Sequence, residues 1–192
     1  YGDLCWPAGL EATRLTLGEN VHNAPWDLEN ARLIVLWGKN PAETNVHQMP
    51  HVQRAQERRA ALVVVDPRRT ESAERADLLL QLRPGSDGAL ALGLGHVLAR
   101  DGLVDREFVA AHVQGFDEWA QRVAEFPPQR VAELCGVPAA AVERLAGLIG
   151  REHPCTIVPG FGMQRFTNSG QALRALLALL AVTGQVGKPG AG

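Results

Sequence analysis

The chain has 192 residues, of which 46% are hydrophobic and 21% are charged, and its formal net charge is −2. That length can bury the core of one domain, and the near-neutral charge argues against a nucleic-acid-binding protein, because phosphate binding requires a basic surface. No apolar run reaches the roughly 18 residues of a membrane span and no secretory signal opens the chain, so we expect a soluble protein with no direct membrane span.

Four short apolar runs predict strands. They cover residues 33–37, 62–66, 78–82 and 155–159. Each run is continuously apolar rather than alternating, which is typical of parallel strands that carry helices on both faces.

Segments with helical spacing separate these runs. The longest are residues 46–59, with the regular helix starting near Pro50, then 86–100, 105–150 and 171–183. Asp105 is a predicted helix cap, and PRRTESAERAD has room for a single turn of helix. The order predicts an α/β fold: one Rossmann-like domain over residues 1–192, with an open, mostly parallel, doubly wound sheet of about four or five strands, helices on both faces and right-handed crossovers.

Polar loops follow all four predicted strands. They read GKNPAETN, DPRRT, RPGSD and GFGMQRFTNSG, and ligands of open parallel sheets bind at such carboxyl ends. Glycines allow close backbone approach, Lys39 and Arg68 suit phosphates, and carboxylates suit ribose hydroxyls or guanine N–H groups. Each loop alone is an ordinary turn or cap, but together they favour a nucleotide site. No GxGxxG or GxxxxGK[ST] occurs, so a standard NAD site or P-loop is disfavoured.

The cysteines and histidines set limits on metal binding. Cys5, Cys135 and Cys155 are too few and too scattered for a disulfide framework or a CxxC metal site, so any iron–sulfur cluster must lie outside this chain. His47 and His51 are four residues apart but lack the Glu of HExxH and are interrupted by Pro50, which favours rim histidines.

Six motifs together resemble a known family. WGKNPAETN, VVVDPRRTESAERAD, LRPGSDGALALGLGHVL, DREFVAAHVQGFDE, GFGMQRFTNSG and TGQVGKPGAG are similar, in order and spacing, to the molybdopterin oxidoreductases of the dimethyl sulfoxide reductase type. The resemblance implies molybdenum or tungsten held by two molybdopterin guanine dinucleotides per intact enzyme, with this formate dehydrogenase-type α/β domain clasping one of them. The first residue is not methionine and the last six are GKPGAG, so we expect a fragment of a larger, multidomain enzyme.

The resemblance also implies which residues bind the dinucleotide. The predicted contacts are Gly38, Asn40 and Glu43 beside the first strand, Asp66 and Arg68 beside the second, Gly85 and Asp87 at the guanosine, and Gly160, Gly162, Gln164 and Arg165 beside the fourth.

Cys5 is the predicted metal ligand. In cysteine members of the family the ligand stands a short helix before a glycine, and here Cys5 precedes LEATRLTLG and Gly18 at similar spacing. A thiolate suits molybdenum or tungsten; the alternative is a small half-buried residue near a chain end. Formate dehydrogenases of this type place His after the ligand, whereas Trp6 stands here, which argues against formate as the substrate.

The predicted partners are the remaining domains of the same enzyme, an iron–sulfur cluster in the missing N-terminal portion and electron-transfer subunits. A prokaryotic cytoplasm or periplasm would suit such a protein. Two other functions stay open: a nucleotide-binding module without redox chemistry, and a cofactor-free structural subunit of a respiratory complex.

Overall fold

The computed structural model of the protein describes residues 5–20 and 22–192. One four-stranded sheet of order β3-β2-β1-β4 lies at its centre, and every strand pair is parallel. The strands are Leu33–Trp37 (β1), Ala61–Val65 (β2), Leu78–Leu80 (β3) and Cys155–Pro159 (β4). The α/β prediction is thus confirmed, with four strands.

The sheet is covered on both faces, as the continuous apolar runs predict. Leu33, Val35 and Trp37 of β1 face the larger core, whereas Ile34 and Leu36 face a smaller one. All five side chains of β1 are fully buried. Such burial is possible only because helices pack against each face of the sheet.

The helices follow the predicted order. Those in the described chain are Pro7–Leu17 (α1), Pro41–Thr44 (α2), Met49–Glu57 (α3), Asp87–Arg100 (α4), Arg106–His112 (α5), Phe116–Ala124 (α6), Pro128–Cys135 (α7), Ala139–Arg151 (α8) and Ser169–Val182 (α9). Short 3₁₀ helices occur at Pro25–Asn30, Val46–Gln48, Ala73–Arg75 and Phe161–Arg165. No described helix has both the length and the apolar character to cross a membrane.

The strand register brings the predicted loops to one edge. Trp37, the last residue of β1, pairs with Val65 of β2 and with Pro159 of β4, and Val65 pairs with Leu80 of β3. The chain builds outward from β1 through β2 to β3 and then returns to place β4 on the other side of β1. Strand order therefore reverses between β1 and β4, the position at which open α/β sheets bind ligands.

Candidate functional site

A cleft with a volume of about 730 Å³ lies at this edge of the sheet. Loops that follow all four strands line it, as expected where parallel strands end at one edge of a sheet. The predicted residues that line it are Gly38, Asn40, Glu43, Asp66, Arg68, Gly85, Asp87, Gly160 and Gly162.

Two glycines bring the ends of β1 and β4 together at the floor of the cleft. The Gly160 amide donates a hydrogen bond to the Trp37 carbonyl over 2.7 Å. A Cβ at Gly160 would lie 1.6 Å from the carbonyl oxygen of Gly38, a distance no side chain tolerates. By contrast, a Cβ at Gly162 would meet nothing within 4 Å, so the missing side chain there leaves room inside the cleft.

Two buried carboxylates line the same cleft. Asp66, 8% exposed, accepts a 2.8 Å hydrogen bond from the Arg68 amide. Asp87, 7% exposed at the start of α4, accepts a 2.8 Å bond from Trp37 Nε1. Burial raises the pKa of Asp87, and the nearby charge of Asp66 adds to the effect, while donated hydrogen bonds oppose it. The cleft therefore offers strong acceptors for N–H or O–H groups.

Asn40 lines the cleft but its amide is already engaged within the protein. Nδ2 donates to Glu71 Oε2 over 3.0 Å, and Oδ1 accepts from Ser72 Oγ over 2.7 Å. A hydrogen bond from its own backbone, followed by the Asn40 amide, lowers the pKa of Glu71. Through these two hydrogen bonds, Asn40 links the loop after β1 to the loop after β2. The sequence reasoning missed Glu71 and Ser72, although both lie in the quoted PRRTESAERAD segment.

Positive charge reaches the cleft from two loops. Lys39 is half-buried, and burial lowers the pKa of its ammonium group. It lies on the wall shared by the cleft and a second, neighbouring cavity of about 620 Å³. Arg68 is exposed at the cleft rim. Both cations can therefore attract a phosphorylated ligand.

Aromatic and sulfur side chains close the β4 side of the cleft, and the sequence reasoning did not single them out. Phe161, Met163 and Phe166 all line it. Phe166 packs tightly against Gly85, where a Cβ would lie 3.0 Å from its ring. All three lie in the predicted loop GFGMQRFTNSG. The sequence of that loop does not show which of its side chains pack inside the protein and which could contact a ligand.

Gln164 and Arg165 do not line the cleft, unlike the other predicted contacts. Gln164 turns toward the start of the chain, where its Nε2 donates to the backbone carbonyl of Cys5. Its Oε1 is buried and has no hydrogen-bond partner in the described chain; such a group costs about 1–3 kcal/mol. Arg165 is exposed.

Cys5 is a free, half-buried thiol just before α1. Within residues 5–20 and 22–192, no group of three or more His, Cys, Asp or Glu side chains could hold a metal ion. His51, one of the two histidines considered above, has its Nδ1 2.6 Å from Glu29 Oε1. Cys5 therefore belongs to no such cluster within the described residues.

The sheet and its reversal point define an open, parallel α/β domain with a polar cleft at its strand ends. A family model described as molybdopterin oxidoreductase matches residues 2–192, and the chain belongs to that family. The predicted relationship to dimethyl sulfoxide reductase is confirmed by 34% identity over 212 residues to dimethyl sulfoxide reductase DmsA of Escherichia coli, an alignment that covers 97% of this chain and 26% of the relative.

Other relatives extend this finding. The chain is 33% identical to the probable oxidoreductase YoaE of Bacillus subtilis, over 95% of this chain and 27% of that protein. It is 34% identical to formate dehydrogenase H of Escherichia coli, over 88% of this chain and 24% of that protein. Among solved structures, acetylene hydratase from Pelobacter acetylenicus superposes with a TM-score of 0.88 at 34% identity, over 95% of this chain and 25% of the other. The chain thus spans about a quarter of the length of these relatives.

Proposed function

We propose that this domain grips one molybdopterin guanine dinucleotide in the cleft at the strand ends and supplies Cys5 as a ligand to molybdenum or tungsten in a larger oxidoreductase. The observation that carries the proposal is the convergence of four strand-end loops on a single cleft of about 730 Å³, in a chain that belongs to the molybdopterin oxidoreductase family.

The chemistry of the cleft suits each part of such a ligand. Gly38 and Gly160 have no side chains, so a ligand can approach the backbone there. The open space at Gly162 leaves room for a pyrophosphate and its ribose. Lys39 and Arg68 balance phosphate charge. A carboxylate such as Asp87 accepts from the amino and imino N–H groups of guanine, which distinguishes guanine from bases without that donor pair. These residues bind and orient; none of them reacts.

The metal would supply the redox chemistry, cycling between oxidation states to move two electrons. Cys5 would hold it through a thiolate. The second dinucleotide, an iron–sulfur cluster and electron-transfer subunits would belong to other parts of the enzyme. The relatives' names include formate dehydrogenase, dimethyl sulfoxide reductase and acetylene hydratase, so one such domain serves several reactions, and the proposal concerns the grip on the cofactor rather than a substrate.

Analysis of the intact enzyme tests the grip. We expect molybdenum or tungsten, pterin, and guanosine monophosphate released on hydrolysis of the dinucleotide. Gly162→Leu should place a side chain in the cleft and lower the released nucleotide, because that position is open and its backbone accepts any residue. Gly170→Leu is the matched control, since Gly170 also has nothing within 4 Å but lies in α9 and does not line the cleft.

Two results would contradict the grip: purified enzyme without metal and pterin, or a Gly162→Leu enzyme with a full complement of nucleotide. For the ligand, Cys5→Ser should change turnover and the spectrum of the metal. Unchanged turnover in that variant would refute the ligand assignment.

A further inference from the structure

Two segments that are far apart in sequence meet beside the cleft. One is the start of the described chain, Cys5 and Trp6; the other is the 3₁₀ helix Phe161–Arg165, which follows β4. The same 3₁₀ helix lines the cleft through Phe161, Gly162 and Met163. The position of this short helix therefore affects both the proposed dinucleotide site and the proposed metal ligand.

Two side-chain contacts join the segments. Gln164 Nε2 donates to the Cys5 carbonyl, and the rings of Trp6 and Phe161 stack with centroids 4.8 Å apart and planes 27° apart. The Trp6 ring also packs closely against Gly9, where a Cβ would lie 1.8 Å from it. Cys5 is thus held through its own backbone and through its neighbour's ring.

The hydrogen bonding of the Gln164 amide indicates that this side chain does more than fill space. A carbonyl accepts only a donor, so the contact with Cys5 fixes Nε2 on that side and leaves Oε1 as the opposite atom. Oε1 is buried without a hydrogen-bond partner in the described residues. A leucine or methionine would fill the same space without an unsatisfied oxygen. The amide thus supplies a donor to the Cys5 carbonyl that neither of these side chains could supply.

We propose that Gln164 is a positioning residue that holds the Cys5 backbone, so that the thiol keeps a fixed direction relative to the cleft. The proposal rests on the role of Cys5 given above, and it reassigns Gln164 from the predicted dinucleotide contacts to the support of the metal ligand. The 3₁₀ helix then connects the position of Cys5 to the β4 side of the cleft.

Two variants of the intact enzyme test this. Gln164→Glu keeps the size and the oxygen but loses the donor, and Gln164→Met loses both polar atoms. Gln56→Glu is the matched control, because Gln56 is also half-buried and its Nε2 donates to a backbone carbonyl, that of Arg75, over 3.0 Å on the far side of the sheet.

The first readout is the alkylation rate of Cys5 in enzyme produced without molybdate or tungstate, followed by mass spectrometry of the Cys5 peptide. Cys135 and Cys155 are buried, and burial raises the pKa of Cys155 to about 12, so they give an unreactive baseline. We expect both Gln164 variants to raise the Cys5 rate about fivefold, the factor that corresponds to one ordinary hydrogen bond, and Gln56→Glu to leave it unchanged.

The second readout is the paramagnetic resonance spectrum of the reduced metal in loaded enzyme. Both Gln164 variants should shift it and Gln56→Glu should not. Parental alkylation rates and parental spectra in both Gln164 variants would overturn the proposal. A parental spectrum in Cys5→Ser would instead refute metal ligation by Cys5, and the alkylation rates, measured without metal, would then decide alone whether Gln164 holds the Cys5 segment.

Discussion

At the scale of single residues, the proposed binding role of Asp87 has a cost in stability. Its side chain is 7% exposed, and burial raises its pKa, so the folded protein binds this proton more tightly than the unfolded chain does. Unfolding therefore releases a proton across the pH range between the two pKa values, and stability falls as the pH rises through that range. Above it, the folded state retains a buried charge that weakens it.

Asp87→Asn should separate the two effects. Asn still offers an oxygen to Trp37 Nε1, so we expect a higher melting temperature than the parent at neutral pH and a difference that shrinks in acid, where the parent carboxyl is protonated. The released guanosine monophosphate should fall at least roughly tenfold, because hydrogen bonds to a charged group contribute about 1.5–3 kcal/mol each. A neutral-pH melting temperature at or below the parent's would contradict this account.

The residues also show what sequence can and cannot predict about the site. Gly38 and Asp66 directly follow β1 and β2, and Asp87 lies just beyond the loop that follows β3. Their positions at the cleft were predictable because parallel strands end at one edge. The internal bonds of Asn40 and the turn of Gln164 toward Cys5 were not, because each depends on a partner 31 or more residues away. Position along a strand predicts which backbone reaches the site, whereas side-chain direction depends on tertiary contacts.

At the scale of elements, the N-cap of α5 is a local feature that can be predicted from the sequence. Asp105 was predicted as the cap, and its Oδ1 accepts a 2.9 Å hydrogen bond from the Phe108 amide. Its own amide also donates to the Val182 carbonyl at the end of α9. One residue therefore starts α5 and joins it to α9.

Asp105→Ala should destabilise α5 by about 1 kcal/mol, the usual cost of losing a capping side chain. Hydrogen exchange of peptides from Arg106–His112 should become faster, with little change in peptides from β1. Asp105→Asn is the control, because Asn caps about as well as Asp and should keep near-parental exchange. Equal exchange in the Ala variant and the parent would show that the cap contributes nothing.

Elements set by distant contacts were predicted less well. The predicted helical stretch 105–150 is divided into α5, α6, α7 and α8, and α8 starts at Ala139, after an extended Pro138. The run 78–82 forms a strand only over Leu78–Leu80, because this edge strand pairs with β2 at three residues. The 3₁₀ helix Phe161–Arg165 was not predicted; its short hydrogen-bonded turns leave no periodic pattern to detect.

At the scale of the whole molecule, Gln185, Gly190 and Gly192 of the last segment of the chain contact β4 at the edge of the sheet. Gln185 is 1% exposed; its Oε1 accepts from the Cys155 amide over 3.0 Å and its Nε2 donates to the Thr183 carbonyl over 2.9 Å. Gly192 exchanges backbone hydrogen bonds with Cys155 and Ile157. This segment covers backbone groups that an edge strand would otherwise leave unpaired. The loop that follows β4 lines the cleft.

Gln185→Met should therefore loosen both the chain end and the strand that leads to the cleft. The substitution keeps the volume but leaves the Cys155 amide and the Thr183 carbonyl without partners, at roughly 1–3 kcal/mol for each buried group. We expect the opening free energy of β4, measured by hydrogen exchange, to fall by about 2–4 kcal/mol. Gln56→Met removes a single, more exposed bond and should change exchange much less. Equal protection of β4 in both variants would mean that water replaces the Gln185 amide, and that the hydrogen bonds of Gly190 and Gly192 hold the edge of the sheet.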